Sequence, residues 1–380
     1  MSVVIFYERH STALLLPYLI NYYGLKEIIT MKKNAEHVTF ADVMGCCDVK
    51  EHIDCSNRGL TSLLGCPEKV KDFNCSGNKL TTLEGAPKKV KGDFNCSANL
   101  LTSLKGAPEE IHGDFDCSNN QLISLAGCPV FIMGDFSCAG NKLTSLKGDG
   151  DGATLPACPE VVEGDFNCSG NGLTNLDGAP RIVGSDFDCS DNLLVTLHGS
   201  PKKIRGDFDC SNNQLVTLSG SPDYISGSFS CAGNLLTSLK GGAKEVSGNF
   251  DCSANQLNSL LWAQKKVNGI FNCSANQLVS LKGSPEEVVA FFCSGNQLGS
   301  LKWAPEKVKG TFDCSGNKLI SLDGAPKRVK GDFNCSENQL SALDGTLKKV
   351  GGDFICSNNA TDFDDKKVRE ACHVKGNSIT

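Results

Sequence analysis

The chain has 380 residues, a formal net charge of −6 at pH 7, and unusually many glycines (40) and cysteines (21). The small negative charge provides no basic surface for nucleic acid, which argues against that class of partner. The length exceeds what one ordinary hydrophobic core accommodates, so the chain needs either several domains or an elongated fold.

Residues 1–50 carry no repeat, and we expect them to form an N-terminal cap. Ser2–Tyr7 is typical of a short apolar strand, and the pattern from Ser11 onwards predicts a helix. The apolar run Ala13–Tyr23 is short for a membrane span and lacks the basic start of a signal peptide, so no membrane contact is expected. Asn34–Met44 is predicted to complete the cap.

From residue 51 to residue 360 the chain repeats a unit of which Gly113–Leu125 is a clear copy. A typical copy has Phe-x-Cys, an Asn three residues after the Cys, Leu five and eight residues after it, and then Gly-x-Pro-x-x-Val. The first coil has Ile53 for the Phe and Arg58 for the Asn, and the last coil has Thr361 for the first Leu. The step is 21 residues, apart from two steps of 20 and one of 30. A fixed period of this length predicts a solenoid, in which each coil buries its apolar side against its neighbours. The fifteen repeat cysteines are Cys55, Cys75, Cys96, Cys117, Cys138, Cys168, Cys189, Cys210, Cys231, Cys252, Cys273, Cys293, Cys314, Cys335 and Cys356.

This pattern resembles a leucine-rich repeat. The short period, the Leu-Thr-Ser-Leu run and the Pro near the end of the coil are similar to the short repeats of bacterial type III secreted effectors, and Cys-containing repeats of this kind are similar to some in phage genomes. The resemblance implies a leucine-rich-repeat horseshoe or superhelix. In it a parallel β-sheet lines the concave face, the convex side is extended or a single turn, and small helical caps close both ends. The chain departs from the family in the Phe and Cys of its strand and in Gly-x-Pro. Some effector families carry a ubiquitin-ligase domain after the repeats, and we do not expect that activity for the roughly twenty residues that follow here.

The repeat cysteines are predicted to be buried free thiols. Alternate side chains of a strand point to opposite faces, so Phe94 and Cys96 face inward while Asp93, Asn95 and Ser97 face outward. A single inward column of this kind favours neither disulfides nor a metal stack, and it suits a reducing, cytoplasmic compartment. Redox chemistry stays an alternative for the cysteines outside the column, which are Cys46, Cys47, Cys66, Cys128, Cys158 and Cys372.

Two segments interrupt or follow the repeat. The nine extra residues of the long step, 149–157, are predicted to be a looped-out insertion. A partner-binding loop is an alternative, and so is a calcium site at Asp149 and Asp151, although the later ligands of a calcium loop are missing. Residues 361–380 are predicted to form a C-terminal cap, with a short helix in Asp362–His373 that has acids first and bases later, as the helix dipole favours.

Acidic side chains form two outward columns on the predicted sheet. Like charges directly opposite each other destabilise a sheet, so these columns need partial neutralisation. They indicate either a solubilising surface that protects the sheet or an electrostatic surface for a basic partner, and mimicry of a nucleic-acid backbone is a third alternative. The candidate residues are Asp114, Asp135, Asp165, Asp186 and Asp207 in the first column and Asp116, Asp188 and Asp209 in the second.

The coils that break the rule are the more informative candidates for a site. Ile270 and Phe292 stand at outward strand positions, where acids or amides are usual. Trp262 and Trp303, the only tryptophans, replace the Gly ten residues after the Cys. Exposed apolar clusters with aromatic residues often mark partner sites, while local repacking is the alternative.

Catalysis has little support in the sequence. The six histidines are scattered, and no catalytic triad, phosphate-binding loop or zinc motif is present. We expect a non-catalytic protein-interaction module without a cofactor, whose partner has a basic or mixed apolar surface. Such a module could act as an inhibitor that sequesters a host protein, in the host cytoplasm if phage-encoded or translocated. Alternatives are a virion or scaffold component, and a ligand or cation binder or an enzyme that uses the acidic columns.

Overall fold

A computed structural model describes residues 37–45, 51–147 and 158–380. The predicted N-terminal strand and helix, Cys46, Cys47 and the insertion 149–157 lie outside the described residues.

The described chain folds into short parallel strands with one short helix near each end. The helices are α1 (Phe40–Met44) and α2 (Asp365–Ala371). The strands are β1 (His52–Asp54), β2 (Lys69–Val70), β3 (Asp72–Asn74), β4 (Lys89–Val90), β5 (Phe94–Asn95), β6 (Glu110–Ile111), β7 (Phe115–Asp116), β8 (Phe131–Ile132), β9 (Phe136–Ser137), β10 (Val161–Val162), β11 (Phe166–Asn167), β12 (Ile182–Val183), β13 (Phe187–Asp188), β14 (Lys203–Ile204), β15 (Phe208–Asp209), β16 (Tyr224–Ile225), β17 (Phe229–Ser230), β18 (Glu245–Val246), β19 (Phe250–Asp251), β20 (Ile270–Asn272), β21 (Glu287–Val288), β22 (Ala290–Phe292), β23 (Lys307–Val308), β24 (Phe312–Asp313), β25 (Arg328–Val329), β26 (Phe333–Asn334), β27 (Lys349–Val350), β28 (Phe354–Ile355), β29 (His373–Val374) and β30 (Ser378–Ile379).

The first sheet contains the Phe-x-Cys segment of every coil. Its sixteen strands run from β1 through the odd-numbered strands to β19, and then through β20 and the even-numbered strands to β30. The register places like residues side by side, for example Phe94 beside Phe115 and Asn95 beside Asp116. Because each residue lies beside the equivalent residue of the next coil, every position of the repeat forms a column along the solenoid.

The segment that contains the repeat Val or Ile forms the other side of the coils. The nine strands β2 to β18 with even numbers make a second sheet, and the five strands β21 to β29 with odd numbers make a third. This side is extended, as the sequence predicted. The two sheets are interrupted near Val267, where the chain forms no strand.

The core consists of aligned apolar columns between these sheets. The repeat Phe, Cys, Leu and Val or Ile side chains are almost all fully buried. Neighbouring Phe rings follow one another with centroids 5.2 to 5.8 Å apart, from Phe73 to Phe354. Burial of each such side chain contributes about 1.5–3 kcal/mol to the stability of the fold. A single coil cannot bury its apolar side alone, so the stability comes from the stacking of neighbouring coils.

The repeat Asn connects each coil to the one before it. The Asn99 side-chain amide donates to the carbonyl of Cys96 in its own coil (3.1 Å) and to the carbonyl of Cys75 in the preceding coil (3.0 Å). Its carbonyl oxygen accepts from the amide of Leu80 at 3.0 Å. These bonds satisfy backbone groups at a bend that has no strand partner.

The ends of the described solenoid are covered by α1 and α2. Thr39 caps α1 through a capping box with Asp42, and Phe40 is buried with its ring 6.1 Å from that of Phe73. Asp364 caps α2, and Val368 is buried beneath it. After α2 the chain adds β29 to the third sheet and β30 to the first, two strands that the sequence had not indicated. Neither helix of the described ranges is long and apolar enough to cross a membrane.

Candidate functional site

The first acidic column serves as a row of acceptors for the backbone. The carboxylate of Asp114 accepts from the amide of Asp135 at 2.8 Å, and Asp135 in turn accepts from the amide of Asp165 at 2.8 Å. The same bond runs from Asp186 to Asp165 (2.9 Å) and from Asp207 to Asp186 (2.7 Å). One carboxylate oxygen of each first-column candidate therefore connects two coils, a role that the sequence interpretation had missed.

A glycine precedes most of these acids and belongs to the same arrangement, while Ser185 stands in its place before Asp186. A Cβ at Gly113 would lie 2.2 Å from a carboxylate oxygen of Asp93 and 2.6 Å from the backbone carbon of Gly92. A side chain at Gly113 would crowd the preceding acid, which favours glycine at this position. The repeated Gly-Asp pair is thus explained by folding.

The second acidic column makes local turns. Asp116, Asp188 and Asp209 are half-buried, and each accepts from the amide of the serine two residues later, at 2.9, 2.9 and 2.8 Å. Bonds of this kind are Asx turns, which end the strand. Among the described residues, none of the eight candidate acids forms an ion pair, so their charge is not neutralised by a basic side chain.

The polar columns stop at two neighbouring strands of the first sheet. The amide of Ile270 donates to the side-chain oxygen of Asn249 at 2.8 Å, and the Ile270 side chain has no acceptor to continue the row. The same bond is found again from Asp353 to Asp332 at 2.8 Å. Ile270 pairs with Ala290, and Asn272 pairs with Phe292. Ile270 is 36% exposed, and Phe292 is half-buried. We call Ile270, Ala290 and Phe292 the first-sheet patch.

The two tryptophans lie elsewhere, in the turns that lead to the second and third sheets. Trp262 is 69% exposed and Trp303 is 56% exposed. Their φ angles, +77° and +76°, lie in the left-handed region that the glycine of other coils adopts without strain. Lys302 lies over the Trp303 ring, 5.6 Å from its centroid. The structure therefore separates the tryptophans from Ile270 and Phe292, which belong to the strands of the first sheet.

Trp262 borders a groove of about 890 Å³ at the interruption between the second and third sheets. The groove is lined by the turns of three successive coils, among them Ala243, Gln264 and Ser284. The sequence singled out Trp262, with local repacking as an alternative to a partner site, but it did not predict that the backbone pairing fails beside Trp262.

The cysteines of the described ranges are free, and the repeat thiols are buried. Burial raises the pKa of Cys55 to about 12 and that of Cys138 to about 12. The Cys117 thiol donates to the carbonyl of Ser137 at 3.3 Å. Buried protonated thiols of this kind pack as small apolar side chains. In the ranges 37–45, 51–147 and 158–380, no cluster of His, Cys, Asp or Glu has the arrangement of a metal site.

An exposed apolar cluster on the second sheet had escaped the sequence interpretation. Val130, Phe131, Met133 and Ile182 are 46–55% exposed. The Phe131 ring meets His112 edge-on at 6.2 Å. The signal was present in the column before the repeat Val, where Lys gives way to Phe131 and Ile182.

Comparison with known proteins agrees with this geometry. A scan against protein-family models and a search of the curated proteins gave no match. Among solved structures, the chain is similar to YopM, a leucine-rich effector protein from Yersinia pestis. The identity is 21%, 86% of this chain and 88% of that one are covered, and the TM-score is 0.51. This protein has a leucine-rich repeat fold.

Two further structures have the same repeat type at lower similarity. One is a leucine-rich repeat protein from Leptospira interrogans, with 16% identity, 89% and 100% of the two chains covered, and a TM-score of 0.49. The other is the functional domain of InlJ from Listeria monocytogenes, described as including a cysteine ladder, with 18% identity, 82% and 68% covered, and a TM-score of 0.46. The similarity to YopM, at 21% identity, supports the fold of the chain and leaves its activity to be argued from its own residues.

Proposed function

We propose that the protein is a non-catalytic interaction module that binds a partner protein along its first sheet. The first-sheet patch carries this proposal, because apolar side chains there replace the acids and amides of the surrounding coils. Apolar and aromatic groups within a polar surface are the usual anchors of a protein interface. A rigid solenoid loses little conformational freedom when it presents such a surface.

The acidic columns supply the electrostatic part of the proposed surface. Each acid of the first column from Asp114 to Asp207 uses one carboxylate oxygen for the next coil, and the structure assigns no bond to the other oxygen. A row of carboxylates without ion pairs attracts a basic partner and raises the rate of its association. We infer a partner with both basic and apolar groups, bound in a reducing compartment such as a cytoplasm, where free thiols persist. Sequestration of a host protein, as the resemblance to secreted effectors suggests, is our preferred role.

The test is loss of a captured protein on removal of the patch. The change Ile270→Ser with Phe292→Ser should weaken capture of a specific protein by roughly tenfold or more, because it removes the apolar anchor. The matched control is Ile320→Ser, a change at a side chain that is 63% exposed outside the first-sheet strands. Capture is measured by quantitative mass spectrometry on candidate host extracts. Equal capture by the patch variant and the parent would rule out the patch as the anchor.

A further inference from the structure

The second sheet ends at β18 and the third sheet begins at β21, so one side of the solenoid has a break between them. β18 pairs only with β16, and β21 pairs only with β23. The intervening segment, residues 263–269, forms no strand. Two sheet edges are thus present in the middle of a fold that otherwise pairs every coil, and a sheet edge offers unpaired backbone donors and acceptors.

Comparison with the neighbouring coils shows which backbone hydrogen bonds are missing beside β18. The amide of Ser247 donates to the carbonyl of Ile225 one coil earlier at 3.1 Å, and the equivalent bond is present in most coils of the second sheet. In the described range 158–380, no backbone amide of residues 264–269 donates to residues 243–248. Val267 nevertheless stays buried, with 2% exposure. The segment therefore keeps its core contact while its backbone is detached from β18.

The sequence of this coil accounts for the detachment. Gln264 stands where most coils have the Pro of Gly-x-Pro, and Ala243 replaces that Pro one coil earlier. The Gln264 side-chain amide donates to the carbonyl of Ala243. A side chain thus takes a backbone acceptor of the preceding coil, next to the left-handed turn at Trp262.

The groove between β18 and this segment carries recognition chemistry of its own. The Trp262 ring stands exposed at its border, and Lys265 and Lys266 line it without an ion pair among the described residues. Glu245 and Glu286 line it as well. The groove therefore combines an aromatic surface, charges of both signs and the free edge of a strand.

We propose that this groove binds an extended segment of another protein, which adds as a strand to the free edge of β18. Main-chain bonds to groups such as the Val246 carbonyl would give affinity, as in other cases of strand addition. An apolar or aromatic side chain against Trp262 and an acidic one at Lys265 and Lys266 would give selectivity. This site is independent of the first-sheet patch.

The experiment selects displayed linear peptides of about twelve random residues on the intact protein and measures the affinity of the enriched peptides. The variant Trp262→Gly with Gln264→Pro restores the Gly-x-Pro pattern and should weaken those peptides roughly tenfold or more, because it closes the groove. The matched control Trp303→Gly changes the equivalent residue of a coil whose third-sheet strand is continuous, and it should leave binding unchanged. The first-sheet variant Ile270→Ser with Phe292→Ser should also leave peptide binding unchanged, so this proposal and the proposed function fail separately.

A second arm tests backbone pairing itself and does not depend on how the variant folds. Peptides N-methylated at alternate residues lose the donors on one edge, so one of the two methylation patterns should weaken binding roughly tenfold and the other should not. Hydrogen exchange at Val246 should slow when peptide binds. Absence of enriched peptides, equal binding to the restored variant, or equal effects of both methylation patterns would each overturn the proposal.

Discussion

At the scale of single residues, the acids of the first sheet have two roles: they form a charged surface, and they accept hydrogen bonds from the backbone. The sequence correctly predicted that they form outward columns, and it indicated either a solubilising surface or an electrostatic surface for a basic partner. The structure adds that each acid of the first column accepts an amide of the next coil. Ser228 and Asn249 take the same acceptor role later in the column. An acceptor oxygen, rather than a negative charge, is what folding requires at this position.

Substitution of Asp114 should separate these two requirements. Asp114→Ala removes the acceptor of the Asp135 amide and should lower the free energy of unfolding by about 1 kcal/mol. Asp114→Asn retains a carbonyl oxygen there and should cost much less. Denaturant unfolding measures both, and hydrogen exchange at the Asp135 amide shows whether the loss is local. Equal destabilisation by the two variants would mean that charge, and not the bond, stabilises the column.

At the scale of the coil, the buried Asn is the main polar connection between neighbours. The Asn120 side chain donates to the carbonyls of Cys96 and Cys117, both at 3.1 Å, and accepts from the Leu101 amide at 3.0 Å. The residue before it, Asn119, is exposed and lies in a left-handed conformation. The Asn120 side chain therefore connects neighbouring coils through hydrogen bonds, whereas the exposed Asn119 side chain makes no such connection among the described residues.

Asn120→Ala should destabilise the solenoid by about 3 kcal/mol, because it leaves several buried backbone groups without a partner. The matched control is Asn119→Ala. Ala98 and Ala254 occupy the same position of their coils at φ angles of +53° and +51°, so this change should cost well below 1 kcal/mol. Unfolding in urea measures both variants. A comparable loss in the control would show that the Asn120 bonds are not what holds the coils together.

The interrupted sheet shows how coils can differ within one repeat. In most described coils the Gly-x-Pro-x-x-Val segment forms a strand that pairs with both neighbours. Among the described coils within the solenoid, only the one with Trp262 and Gln264 forms no strand there, so it joins neither the second nor the third sheet. Substitution at these two positions therefore creates a sheet edge without disturbing the buried Val267. The repeat provides the scaffold, and the exceptions create candidate sites.

At the scale of the whole molecule, the buried thiols form a column through the solenoid. Their burial raises the pKa of the thiol, to about 12 for Cys55 and to about 11 for Cys356, from an ordinary value of 9.0. The unfolded chain would lose these protons near pH 9, whereas the folded chain keeps them. The stabilisation is therefore complete below about pH 9 and is lost as the pH rises from there through the folded values.

The melting temperature should consequently fall between about pH 8.5 and pH 11 in the presence of a reductant, more steeply than in a variant with fewer buried thiols. The triple change Cys117→Ala, Cys189→Ala and Cys252→Ala should reduce this slope while it lowers stability at neutral pH. Thermal scans monitored by circular dichroism measure both effects. A melting temperature that is insensitive to alkaline pH would show that the thiols are accessible to solvent or ionised in the folded chain.

The sequence by itself determined the repeat, its period, the parallel sheet and the inward Phe, Cys and Leu columns. It could do so because fifteen copies of one local pattern, each with the alternation of a strand, allow only one way to bury their apolar side. It also identified Ile270, Phe292, Trp262 and Trp303 as exceptions. The tertiary structure decided where these exceptions lie, because their surroundings depend on contacts between coils about 20 residues apart. It placed Ile270 and Phe292 together on one sheet, set Trp262 beside a broken pairing, and gave the acids their backbone partners. A pattern within one coil does not specify which backbone group of the next coil comes within hydrogen-bonding distance, and only stacking of the coils fixes that.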